Sequence, residues 1–313
     1  PGSRSGKSSR NFKKIFSILS ENEVQYHYEI TNSLSDAFIL SQRANKSGYD
    51  AVIAVGGDGT INQVLNGFYD SKGKRISDAK FGVIYTGTSP DFCKSYGIPL
   101  NNVEAVNLLI NCKTQNIQIG SITMAKASDK SHDSVPKIIS QDFETKYFAC
   151  CVNIGLGAEL ARRANSGIRG IIGDYLGTFT ALLRTLLSYK PLDFDVFIDD
   201  KAEKLDKVYN ISVGRTRFIA SGIKVKNSLV RGDGRFYCLV VSKLKTAQLP
   251  GVIKTMYSGK EIIDNSNISF KYCKTIEISG NENTQIEFDG DPTGFLPCRI
   301  AMAEDSIALI CEG

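Results

Sequence analysis

Asp50-Ala51-Val52-Ile53-Ala54-Val55-Gly56-Gly57-Asp58-Gly59-Thr60-Ile61-Asn62 is the stretch whose reading decides the fold. Its apolar run Ala51–Val55, rich in β-branched residues, predicts a short buried strand of the parallel-sheet kind. The strand runs into Gly-Gly-Asp-Gly-Thr, after which Ile61, Val64, Leu65 and Phe68 mark one face of a helix ending near Gly67–Asp70. A strand, a glycine-rich turn and a helix N-terminus together form an anion site. Absent side chains let phosphate oxygens reach the backbone, where free N–H groups and the helix dipole point at them. Asp58 is the odd member, because a carboxylate among phosphates repels them unless a metal or a transferable proton intervenes. That combination points to Mg²⁺-nucleotide chemistry.

With Gln63-Val64-Leu65-Asn66-Gly67 after it, Gly56–Asn62 resembles the signature of the diacylglycerol kinase catalytic-domain family. Within that group the chain is most similar to the bacterial soluble lipid kinases, with sphingosine and ceramide kinases as wider relations. NAD kinases share the Gly-Gly-Asp-Gly-Thr core but usually continue differently.

Composition bounds the reading. The 313 residues suit two domains better than one core, and 42% hydrophobic with 23% charged residues is ordinary globular composition. The net charge of +5 is a modest excess, read first as a mildly basic enzyme and second as an aid at an anionic membrane surface. The eight cysteines include no CxxC pair, so neither a zinc site nor a disulfide framework is indicated, and a reduced, cytoplasmic protein is expected. No apolar run approaches the ~20 residues that span a bilayer, and no signal peptide is visible. The expected partner is a lipid reached peripherally at the membrane surface. Nucleic acid is not expected, and a homodimer is a candidate assembly.

Pro1–Arg10 reads by itself as a polar, basic tail. Beside the family it resembles the Asn-Pro-x-Ser-Gly-Lys loop that follows a first strand, so the chain reads as trimmed at its N-terminus. Phe12, Ile15, Phe16, Ile18 and Leu19 predict a first helix, Tyr26–Ile30 a strand, and Ser35 the N-cap of a helix over Asp36–Lys46. The resemblance gives Thr31 a contact to ATP. Lys80–Tyr85 predicts a second buried strand, leading to Thr86-Gly87-Thr88-Ser89-Pro90-Asp91-Phe92-Cys93. This second loop is similar to the family's Gly-Thr-x-Asn-Asp-Phe-Ala, with Pro90 where the family has Asn and the proline placed at N1 of the following helix. Both loops follow strand C-termini, where open α/β sheets bind ligands. Val103, Val106, Leu108, Leu109 and Ile110 predict a further helix.

From about Ile117 the texture changes to short alternating runs: Tyr147–Gly155, Phe194–Ile198, Val208–Val213, Phe236–Val241 and Ile268–Ile278. These predict an antiparallel β-sandwich domain. The expected boundaries are an α/β nucleotide-binding domain over residues 1–118, with residues 300–313 returning to it, and a β-sandwich lipid-substrate domain over 119–299. Ser128–Val135 reads as a polar loop, and Asp174–Ser188 as an apolar helix.

The resemblance supplies roles. Gly56, Gly57, Asp58, Gly59, Thr60, Ile61 and Asn62, with Gly87 and Thr88, are the nucleotide-binding positions. Asp58 and Asp91 would hold or organise Mg²⁺. Val230-Arg231-Gly232-Asp233-Gly234-Arg235 resembles a turn that holds a structural Mg²⁺ through the Asp233 carboxylate and the carbonyls of Val230 and Arg235, although an Asp-Gly turn needs no metal. Ile286-Glu287-Phe288-Asp289-Gly290-Asp291-Pro292 is similar to the family's Asp-Gly-Glu-Pro motif and makes Asp291 the general base, from the other side of an interdomain cleft. The resemblance thus implies an ATP- and Mg²⁺-dependent lipid kinase. Ser89-Pro90, Asp291 in place of glutamate, and Gln118 where the family commonly has Asp keep a weak or inactive nucleotide- or lipid-binding protein as the alternative. NAD kinase is opposed by the Asn-Gln-Val-Leu-Asn continuation and by Asp-Gly-Asp-Pro.

Overall fold

The computed structural model describes residues 8–126, 142–163, 188–219, 223–225, 229, 232–256, 258, 260 and 264–312. The chain divides into two compact units: Pro1–Ile119 with Tyr147–Ala149 and Ala303–Gly313, and Gly120–Lys146 with Cys150–Met302.

In the first unit, β1 (Ala51–Gly56), β2 (Lys80–Tyr85) and β16 (Ile307–Ile310) pair in parallel, and β3 (Thr114–Ile117) closes the sheet antiparallel to β16. Strand alternation sends Ile53 and Val55 toward a cluster of Ile15 from α1 (Ser8–Glu21), Ile84, and Ala105 and Val106 from α5 (Asn102–Asn111). Val52 and Ala54 are buried on the opposite face, where α3 (Asp58–Asn66) packs against β1 and against α2 (Leu34–Lys46). Gly67 is required at that helix contact, since a Cβ there would lie 2.5 Å from that of Ser41, whose hydroxyl donates to the Val64 carbonyl at 2.7 Å.

Three local expectations are corrected here. Tyr26–Ile30 is not a strand. Residues 24–31 pair with no described strand; Tyr26 stacks on Phe16 and Tyr28 packs against the same ring at a tilt. The α2 cap is Ser33, not Ser35. Its hydroxyl accepts from Asp36 N, while the Asp36 carboxylate accepts from the N–H of Asn32 and Ser33 in a capping box. The Ser33 side chain, followed by those backbone donors, holds the Asp36 carboxyl below its usual range. Of the returning segment 300–313, residues 300–302 stay in β15 of the second unit, and Ile307–Ile310 joins the first sheet.

Among the described residues the strand registers of the second unit are antiparallel. Its strands are β4 (Gly120–Ala125), β5 (Phe143–Phe148, whose last residues belong to the first unit), β6 (Cys151–Gly155), β7 (Leu192–Ile198), β8 (Lys201–Gly214), β11 (Phe236–Ser242), β12 (Ile268–Cys273), β13 (Ile276–Ser279), β14 (Gln285–Phe288) and β15 (Asp291–Met302). The run Tyr147–Gly155 is thus broken at Ala149-Cys150, and Ile268–Ile278 is two strands. Strand β8 pairs with β6 and β11 along its C-terminal half and with β7 along its N-terminal half, so the sheet closes on itself around Phe194, Phe236, Tyr237, Phe288 and Phe295. A small ribbon, β9 (Phe218–Ile219) with β10 (Ile223–Lys224), and two helices, α6 (Leu156–Arg163) and α7 (Leu249–Met256), complete the described part. The polar loop at 128–135 and the apolar stretch at 174–187 lie outside the described residues. Among the described residues no helix is long and apolar enough to cross a membrane.

Candidate active site

The two glycine loops of the first unit meet at backbone distance. Thr86 N donates to Gly56 O at 2.9 Å, and a Cβ on Gly87 would lie 2.6 Å from Gly57 Cα. A Cβ on Gly56 would lie 2.5 Å from that of Thr60. Gly87 is therefore glycine because nothing larger lets the loops touch, and Gly56 because a side chain there would run into Thr60 at the start of α3. Gly57 is the N-cap of α3 with no side chain over the first turn, and the space beside Gly59 is open up to the Leu34 methyls 3.8 Å away. Backbone donors at the start of α3 are thus left accessible, as an anion site needs.

Asp58 stands in the first turn of α3, and Asp91 opens α4 (Asp91–Tyr96). Pro90 occupies the N-cap of α4 rather than N1. Both carboxylates bear on one buried hydroxyl. Burial, and then the charge of Asp58, push the Tyr85 phenol far above its usual range, with Asp91 adding to the effect. The Cys93 thiol is pushed up to about 12 by burial and then by Asp58. The geometry therefore brings Gly56–Thr60, Gly87, Asp58 and Asp91 together around Tyr85. Sequence reading missed Tyr85; as the last residue of a buried strand directly before the second loop, it carried the positional signal. Two hard carboxylates beside accessible backbone donors fit a Mg²⁺-bound polyphosphate.

The remaining predicted positions differ in character. Thr31 is half-buried ahead of the α2 cap and Thr88 is exposed. Ile61 and Asn62 are buried at 2% and 1%. Asn62 and Asn66 each donate to the Tyr147 carbonyl at 2.9 Å, and Tyr147 N donates to Asn66 Oδ1 at 2.9 Å. The asparagines of this signature therefore anchor the Tyr147–Ala149 crossing to α3. Gln118 is half-buried between β3 and β4.

Of the second metal set, Val230 lies outside the described residues. The Asp233 carboxylate is gripped by its neighbour: Arg235 Nε donates to Oδ1 at 2.5 Å and Nη2 to Oδ2 at 2.9 Å. The Arg235 carbonyl accepts from Arg215 Nη1. Two guanidinium groups already meet these oxygens, and their charge repels a divalent cation. This donor set, as arranged, does not fit one. Among the described residues no cluster of three His, Cys, Asp or Glu side chains suits a metal either.

Asp291 opens β15 directly after the turn Asp289-Gly290, whose φ angles of 48° and 86° are those of a two-residue hairpin loop. The turn is tied down: Asp289 Oδ1 accepts from the N–H of both Cys150 and Cys151 at 3.0 Å, and Gly290 N donates to Glu287 Oε1 at 2.6 Å. Asp291 is half-buried, and its Oδ1 accepts from Thr293 Oγ1 at 2.9 Å.

The described residues thus form a mixed α/β unit with converging glycine loops and acidic side chains, and a second unit built on a closed antiparallel sheet. The diacylglycerol kinase catalytic domain profile matches residues 1–122, and that of the YegS C-terminal NAD kinase beta sandwich-like domain matches 150–311. The chain belongs to the diacylglycerol kinase catalytic-domain family. It is 26% identical over 282 residues to a diacylglycerol kinase of Staphylococcus epidermidis, covering 89% of this chain and 79% of that one. With a diacylglycerol kinase of Staphylococcus haemolyticus it shares 27% identity over 270 residues, covering 85% and 72%. A crystal structure of a diacylglycerol kinase from Bacillus anthracis str. Sterne superposes with a TM-score of 0.68 at 19% identity, covering 100% of this chain and 94% of that one, and so shares the fold.

Proposed function

We propose that the chain is an ATP- and Mg²⁺-dependent lipid kinase that phosphorylates a hydroxyl of diacylglycerol or a related lipid. The observation that carries this reading is the meeting of the two glycine loops with Asp58 and Asp91 around Tyr85. Gly56–Thr60 and Gly87-Thr88 receive the phosphates through backbone donors, with Thr31 as a further contact. Asp58 and Asp91 would hold the metal, which supplies charge neutralisation at the transferred phosphoryl group. Asp291, on the second unit, takes the proton of the acceptor hydroxyl. Family membership and the names of the relatives favour a kinase with a lipid acceptor.

The test is ADP release from ATP against a panel of lipids plus NAD, with Mg²⁺ varied. Lipid-dependent, Mg²⁺-dependent release is expected. Turnover with NAD alone would overturn the acceptor class, and ATP binding without turnover in every arm would make this a binding protein.

Membrane association is expected to be peripheral and salt-sensitive, because the net charge is only +5 and exposed charges are screened beyond ~10 Å at 0.1 M salt. In flotation assays with anionic vesicles, most of the protein should leave the vesicles at 0.5–1 M salt, a range on the order of several times physiological ionic strength. Retention through that wash would show a stronger anchor.

A further inference from the structure

Glu287 carries no role in the proposed chemistry, yet it is a carboxylate buried at 7% exposure four residues before Asp291. It is paired across the sheet with Asn153, and Asn153 with Ser212, so β14, β6 and β8 align these three side chains in one row. All are buried, and Asn210 lies two residues further along β8. The row is hydrogen-bonded end to end. Gly157 N, in α6, donates to Asn210 Oδ1 at 2.8 Å, and Asn210 Nδ2 donates to Ser212 Oγ at 2.9 Å. Ser212 Oγ donates to Asn153 Oδ1 at 2.6 Å, and Asn153 Nδ2 donates to Glu287 Oε2 at 2.7 Å. A Cβ on Gly157 would lie 2.9 Å from Asn210 Oδ1 and 3.1 Å from Asn153 Cβ, so glycine leaves the α6 backbone room to reach the row.

The direction of every bond follows from the ends. Gly157 N–H and Gly290 N–H are main-chain groups that can only donate. A chain closed by a fixed donor at each end must contain one group that accepts from both sides. A hydroxyl does so only by leaving its own hydrogen without an acceptor, and an amide only by leaving its NH₂ out of the row; an ionised carboxylate does so with nothing left over. Glu287 is therefore the sink of the row, taking Asn153 on one oxygen and the Gly290 N–H on the other.

We propose that Glu287 is a positioning residue for Asp291: it terminates the hydrogen-bond row from α6 and holds the Gly290 amide, which fixes the Asp289-Gly290 turn and hence the direction in which Asp291 leaves it. This rests on the reading of Asp291 as the base. Asp289 holds the other side of the same turn through Cys150 and Cys151 N–H. Burial pushes the Glu287 carboxyl up to about 7; the Asn153 and Gly290 bonds pull the other way, and the charges of Asp289 and Asp291 add to the rise. At mildly alkaline pH the acceptor-only form is thus available in place.

The experiment is Glu287→Gln, with Asn153→Asp added back on top of it. Glutamine brings an NH₂ to a site ringed by donors. Flipping Asn153 moves the mismatch to Ser212 without removing it. We expect kcat to fall roughly 10- to 100-fold, the scale on which small misplacements of a reacting group act, with the ATP KM unchanged within about twofold. The double variant Glu287→Gln/Asn153→Asp moves the acceptor-only group one residue along the row and should recover most of kcat. Hydrogen exchange of the Gly290 amide, which needs no turnover, should accelerate at least about tenfold in the single variant and return in the double. If Glu287→Gln does not fold, Ser212→Ala cuts the row two links from the turn, leaves Glu287 in place, and is read by the same kcat and exchange measurements. A folded Glu287→Gln (or, failing it, Ser212→Ala) with normal kcat and normal Gly290 exchange overturns the proposal. Asp291→Asn separates the two ideas: full activity there removes the base assignment, whereas an inactive Asp291→Asn beside a normal Glu287→Gln removes only the positioning role.

Discussion

Asp58→Ala is expected to lower phosphoryl transfer on the order of a thousandfold or more while leaving the protein folded. Asp58 has no packing duty in the core: it is half-buried in the first turn of α3, behind a glycine cap. A carboxylate at a helix N-terminus contributes about 0.3–1 kcal/mol, which the alanine loses. A loss of that size should move the melting temperature by no more than roughly 5 °C. The loss of turnover is far larger, because the metal that Asp58 would hold loses an oxygen ligand. Asp58→Asn keeps the shape and drops the charge, and should be nearly as inactive. Steady-state kinetics with the best lipid, beside a thermal melt, decides it. A folded Asp58→Ala with near-normal kcat would remove Asp58 from the chemistry.

Much of the first unit was legible because its local signals agree. A β-branched run, a glycine turn and a 3–4 spaced helix face all specify one strand-turn-helix, and the structure has β1, Gly57 and α3 there. The second loop was legible for the same reason. What failed were features decided by partners. Tyr26–Ile30 alternates like a strand, yet no described strand lies beside it, and its aromatic rings pack on Phe16 instead. Ser33 and Ser35 are equivalent caps by composition. Only the Asp36 carboxylate, reaching back to the Asn32 and Ser33 amides, selects Ser33. Asn62 reads as a ligand-facing polar residue; no local signal announces the bond from its amide to the Tyr147 carbonyl, far along the chain. The same limit hid Glu287. In Gln285-Ile286-Glu287-Phe288 the alternation sends Glu287 to solvent, but α6 packs against β14 and turns that face inward. The surroundings of Asp233 were equally hidden from the sequence, for a chemical reason visible only in three dimensions. Arg215 and Arg235 supply cations to the same oxygens from neighbouring segments.

Asp291→Asn is expected to lose most activity, about 10²- to 10³-fold in kcat, the range that general-base groups supply. A lipid hydroxyl is a poor nucleophile at neutral pH, and a carboxylate within hydrogen-bond reach takes its proton as the bond to phosphorus forms. The amide is isosteric and keeps an oxygen for the Thr293 hydroxyl, which now donates to Asp291 Oδ1 at 2.9 Å, so the start of β15 should keep its geometry. The variant therefore tests basicity rather than folding. The ATP KM should stay within about twofold, because the group acts on the acceptor and an interaction made only during transfer lowers kcat without changing ground-state binding. Asp291→Glu adds one methylene to a side chain on a turn held by Glu287 and Asp289, and restores the length the family usually carries. It should retain activity and can exceed the parent rate if the shorter carboxylate works through a water. Normal turnover of Asp291→Asn with a true lipid substrate would place the base elsewhere, with Asp58 the next candidate. Loss of turnover together with a large rise in the ATP KM would place Asp291 at the nucleotide rather than at the acceptor.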